Sequence, residues 1–104
     1  MAQSRGAPPP EFERARQALS AALAEGADVH ASREFAAAEA LLQESRAAGE
    51  RRRRGEQVAL AERAELEARL AEARAITLRL RAEVEAKAED NQRLRRELLD
   101  GALP

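Results

Sequence analysis

Cysteine, tryptophan and tyrosine are all missing from this chain, and its aromatic content is Phe12 and Phe35 alone. Without cysteine there is no disulfide and no thiolate metal site, and the sequence carries no redox information. His30 is the single histidine, so a metal centre would lack the second imidazole it ordinarily uses, and no metal or cofactor is expected. Proline does not occur between Pro10 and Pro104, nor glycine between Gly55 and Gly101, so that span holds no strong helix breaker. No apolar run approaches the roughly 20 residues that a membrane span requires, and no secretory signal pattern is visible in the 104 residues. Charge of one sign is not in excess: 18 basic residues stand against 19 acidic, for a net charge of −1. Nucleic-acid binding draws on a surplus of positive charge on one face, so none is expected here.

What is present is alanine, leucine, glutamate and arginine, the best helix formers. From Glu50 to Leu99 they run for about fifty residues, which predicts one continuous helix of roughly 70 Å at 1.5 Å per residue. Ahead of it, residues 1 to 10 (MAQSRGAPPP) read as a flexible, proline-rich leader. A first short helix is predicted over residues 11 to 24, with Phe12, Ala15, Leu19, Ala22 and Leu23 at helical spacing, Pro10 at its start and Gly26 as its stop. After a connection at residues 27 to 31, a second helix is predicted over 33 to 47. Ser32 is its expected N-cap, Phe35, Ala38, Leu41, Leu42 and Ser45 form its stripe, and Gly49 is its expected break.

The short link makes these two helices antiparallel neighbours. At roughly 22 Å each they can cover only the first part of the long helix. The expectation is an all-α fold in three parts: a leader over 1 to 10, a three-helix alanine-rich domain over 11 to 75, and a projecting coiled-coil arm over 76 to 104.

The arm has its own apolar pattern. Taking Leu66, Ala73, Leu80, Lys87 and Leu94 as d positions makes Leu70, Thr77, Val84, Asn91 and Leu98 the a positions, a sustained 3,4 spacing. Asn91 in a core position fixes register at a cost in stability, while Lys87 and Arg63 must snorkel. Leu80, Val84, Asn91, Leu94 and Leu98 are therefore the expected interface, either with a second copy or with another helical partner. Glu65 to Arg69, Glu83 to Lys87 and Glu89 to Arg93 are spaced i,i+4, in the orientation that supports an exposed helix.

Other features read as structural. Arg51 to Arg54 could contact phosphate, but four consecutive helical residues splay around the axis and form no single face, so a solvated helix start is expected. His30 is expected as a connection residue packed against the second helix. The carboxylates alternate with arginines and have no deep apolar pocket to raise their pKa values. No phosphate loop, nucleophile elbow or zinc signature is present, so an enzyme is not expected.

Residues 11 to 50 carry a further pattern. Ala15, Arg16, Ala18 and Leu19 fit an A-R-x-A-L block, and Ala31, Glu34, Phe35, Ala38 and Leu42 fit a second block of small residues, glutamate, an aromatic and leucine. In this the chain resembles the DUF4398 family of bacterial envelope domains, with His30 standing where the family usually has tyrosine in the link. The resemblance implies an address and a role class: a non-enzymatic scaffold or adaptor of the periplasm, secreted and often lipid-anchored at the outer membrane, in a family some of whose members carry a peptidoglycan-binding domain. It also gives the leader a meaning as a tether, with Met1 standing where a lipidated cysteine would be. The alternative from another class is a cytoplasmic coiled-coil regulator that binds nucleic acid through Arg51 to Arg54.

Overall fold

The computed structural model describes residues 7 to 102 and contains helices only, in the order α1 (Pro10–Ala24), α2 (Ala27–His30), α3 (Ser32–Glu50) and α4 (Arg54–Ala102). The chain is a rod of 86 × 22 × 13 Å. This length belongs to α4, whose 49 residues far outreach the 15 and 19 residues of α1 and α3.

Each boundary has a local cause. Pro10 opens α1, where its fixed φ suits the first turn and its missing N–H costs nothing. Pro9 precedes it with extended backbone and accepts from the Phe12 amide at 3.0 Å. Pro9 is buried, so the packed domain reaches back into the expected leader; Met1 to Gly6 lie outside the described residues.

Gly26 ends α1 with φ of 79°, a left-handed conformation that glycine adopts without penalty. The expected connection is itself a single helical turn, α2. Ser32 does not cap α3. It is the first helical residue and makes no capping hydrogen bond, and the first turn is closed by Phe35 N–H donating to the Ala31 carbonyl at 2.9 Å.

Gly49 does not break α3 either. The helix runs through it to Glu50, and the glycine serves a close approach, since a Cβ there would clash with the Gln57 side-chain amide. The reversal comes later, at Arg51, Arg52 and Arg53, with Arg52 at φ 59°. At its far end α4 continues through Asp100 and Gly101 to Ala102; Pro104 lies outside the described residues.

α1 runs parallel to α4 and α3 antiparallel to both. Near the turn, Phe12 and Ala15 of α1 and Leu42 of α3 pack on Ala61 and Ala64. Farther along, Ala22 of α1 and Phe35 of α3 pack on Ala71 and Ala75, with Ala27 and Ala31 closing that end. The two phenylalanines thus anchor one cluster each, while Leu23, expected in the core, is exposed.

The surface that α4 offers to both helices is a row of alanines. Ala61, Ala64, Ala68, Ala71 and Ala75 are each at most 2% exposed and follow a 4,3,4,3,4 series that begins at Gln57. Methyl side chains let helix axes approach closely, which is how one helix accepts two neighbours at once. The buried Ser45 hydroxyl fixes the register at the turn by donating to the Gln57 carbonyl at 2.7 Å.

Ion pairs flank the seam at three levels: Arg14 with Glu65 at 3.7 Å, Arg74 with Glu34 at 3.5 Å, and Arg79 with Glu25 at 2.9 Å. The last is a charge contact without an aligned hydrogen bond to the buried Glu25 Oε2. Past Leu78 the same row reads Ala82, Glu85, Glu89 and Gln92. Beyond Ala82 these positions offer no apolar side chain, and every described side chain from Leu80 onward is exposed.

Candidate helix-docking face

Two residues of advance along a helix turn the side chain by about 200°. The a/d stripe of leucines stands two residues on from the alanine seam (Ala64 to Leu66, Ala68 to Leu70, Ala71 to Ala73), so it lies on the opposite side of α4. The expected interface residues Leu80, Val84, Asn91, Leu94 and Leu98 are all exposed and share this face. Leu66 and Leu70 extend it along the back of the domain, behind α1 and α3. Its six large apolar side chains, from Leu66 to Leu98, are between 49% and 72% exposed.

The face therefore begins at Leu66, about four turns before the fully exposed arm starts at Leu80. Sequence reasoning placed Leu66 and Leu70 in the register but left them out of the interface, on the premise that the short helices would cover that stretch. Those helices took the alanine face instead. The signal that could have found this was the heptad spacing of Ala61, Ala64, Ala68, Ala71 and Ala75, a second seam offset from the first.

The surface of the face is not flat. A shallow hollow of about 340 Å³ includes Leu70, Ala73, Thr77 and Leu78 in its lining, and a second of about 370 Å³ includes Thr77, Leu80 and Val84. Hollows between successive a and d side chains are the form that accepts a knob from a facing helix.

Charged residues border the stripe. Glu65 holds Arg69 at 2.6 Å, the one expected i,i+4 pair that forms. Arg93 turns to Asp90 at 3.1 Å and Glu97 at 3.9 Å rather than to Glu89. Glu83 and Lys87 are not paired among the described residues. Neither Glu67 nor Arg95 has an ion-pair partner among the described residues.

The remaining candidates fall elsewhere. The arginine run does not splay around a helix: Arg51 to Arg53 make the α3–α4 turn, Arg54 opens α4, and all four are exposed at the blunt end of the rod. Arg53 reaches Glu56 at 3.6 Å. Arg52 shares an open groove of about 440 Å³ with Phe12 and Arg46, where the Arg46 guanidinium sits 5.7 Å from the Phe12 ring centre, a cation–π distance.

His30 is exposed at the end of α2 and lies back over Gly26 of its own turn, rather than packing into α3. Among the described residues no three His, Cys, Asp or Glu side chains are grouped to hold a metal, and no helix is long and apolar enough to cross a membrane. Glu13 and Arg16 on α1 perturb each other. The guanidinium donates to the carboxylate at 3.1 Å and holds its pKa below the ordinary 4.5, while the carboxylate raises that of Arg16.

No family model matches the chain, and neither a curated protein nor a solved structure matches it.

Proposed function

We propose that this protein is a non-enzymatic scaffold or adaptor that works by docking a helix along the leucine face of α4. The observation that carries this reading is the row of exposed leucines and valine from Leu66 to Leu98, placed opposite the side of α4 that builds the domain. A helix needs only one apolar face to be held in its own fold, and a second continuous face is the kind of surface that peptide and coiled-coil partners use.

The address proposed with it is the bacterial envelope, with the segment before α1 as a tether that carries a lipid anchor in the native protein and with peptidoglycan-associated proteins among the possible partners. Its support is the DUF4398-like pattern of residues 11 to 50 and the proline-rich composition ahead of α1. Fractionation of the native cells tests the address: recovery in envelope membranes is expected, and recovery in the cytoplasm would overturn it. The docking role is tested by placing a photo-crosslinking residue at Leu94 in cells. A specific adduct is expected there and not at Arg96, on the outer side of the same turn; equal labelling at both sites would sink the role.

A second reading, a nucleic-acid-binding regulator, takes its support from the gathering of Arg51 to Arg54 at one exposed end. It predicts binding that falls steeply with salt, which a helix-docking scaffold does not show.

A further inference from the structure

We infer that the leucine face is covered by a second copy of this chain, antiparallel, with the two-fold axis level with Ala82; this rests on the helix-docking reading above and names its partner. The argument starts from the order of residues along the face. Read from either end it has the same character: two leucines, two small or polar residues, then one large apolar residue.

Reversed on itself about Ala82, the face places Leu66 against Leu98 of the second copy, Leu70 against Leu94, and Leu80 against Val84. Ala73 then meets Asn91 and Thr77 meets Lys87, where a small neighbour leaves the polar side chain room to reach water. Each layer occurs twice, as an isologous contact requires. Shifting the register one heptad either way sets leucines against Lys87, Ala73 or Asn91, or shortens the overlap to the arm alone.

Charge selects the same arrangement. At the antiparallel edges Glu67 faces Arg95 of the second copy and Arg69 faces Glu97, each twice, against like charges only at the centre, Arg81 on Arg81 and Glu83 on Glu83. A parallel pair would stack Lys87 on Lys87 in the core and oppose Glu62 to Glu67 and Arg69 to Arg74, leaving Asp90 to Arg95 as its attractive contact. Edge charges of this kind set orientation.

The structure leaves the way open on both counts. Glu67 and Arg95 have no ion-pair partner among the described residues, and Leu66 and Leu70 are exposed on the side of α4 away from α1 and α3. The tip of one arm can therefore lie along the back of the other domain, over about 50 Å of overlap from Leu66 to Leu98.

The test uses the full chain. It has no native thiol, so Arg96→Cys, on the outer side of the helix, takes a spin label specifically. Sedimentation equilibrium is expected to give twice the 11.4 kDa chain mass, and pulsed electron resonance a separation of about 45 Å, from twice fourteen residues at 1.5 Å plus the width of the pair. A separation below about 30 Å would mean parallel pairing and overturn the inference, as would a monomeric mass. In a parallel pair or in a monomer that still gives the Leu94 adduct in cells, the helix-docking reading survives. Independently, Arg95→Glu is expected to weaken the dimer about fivefold, and Glu67→Arg added to it to restore the affinity; failure of the restoration overturns the register.

Discussion

The two faces of α4 are built from the same repeat and do opposite things. One presents alanine at heptad spacing and is buried under two helices of its own chain; the other presents leucine and valine at heptad spacing and is exposed from end to end. The comparison teaches that the more hydrophobic face is not the one a helix must use for its own fold. Two helices can reach the α4 backbone together only where side chains are small, so close approach selects the alanine side. The area lost by using methyl groups is made up by Phe12, Phe35 and Leu42, which the short helices bring to the seam.

The comparison breaks most sharply if a large side chain is put on the alanine face. Ala68→Leu forces a branched side chain into a seam where Ala68 is fully buried, and is expected to cost about 3 kcal/mol, the upper end for overpacking. Denaturant unfolding followed by circular dichroism measures it, and an unchanged midpoint would mean the seam is loose.

The converse change is Leu80→Glu with Leu94→Glu on the other face. Association is expected to be lost completely, seen as a monomeric mass, while the domain's stability in dilute solution stays within about 0.5 kcal/mol. A matching loss of stability would show that the leucines belong to the fold after all.

Smaller effects sharpen the contrast at its edges. Ser45→Ala removes the buried hydroxyl that donates to the Gln57 carbonyl and is expected to cost about 1 kcal/mol; the carbonyl keeps its place in the α4 backbone ladder, which limits the loss. Smallest is the exposed Glu13–Arg16 pair. Its carboxyl pKa is lower in the fold than its ordinary value of 4.5, so the stabilisation is present above that value and fades as pH falls through the folded pKa. Glu13→Gln should therefore lower stability slightly at neutral pH and leave it unchanged at low pH, flattening the acid limb of the stability profile, as paired pH titrations of unfolding would show.

Much of this architecture was legible in the residues. Pro10 and Gly26 bounded α1 because one fixes φ and the other supplies a positive one. The stripe of Phe35, Ala38, Leu42 and Ser45 gave the inner side of α3 because helical periodicity is local. What escaped was set by contacts distant in sequence. Gly49 read as a stop, yet it is a point of close approach to Gln57, and only the folded hairpin brings those two together. Ser32 read as a cap, yet the chain had already turned at Ala31. Arg51 to Arg53 read as helix because arginine is a good helix former, yet reversing the chain between α3 and α4 required a break within that run, with Arg52 in left-handed backbone.

By itself the sequence determined that the chain is helical, that one helix is far longer than the rest can cover, and that this helix carries a sustained leucine repeat, because propensity and periodicity are properties of neighbouring residues. Only the tertiary structure decided which of the two repeats would be buried. That choice depends on how closely three helix axes can approach, a distance set by the smallest side chains they share and by no single helix alone.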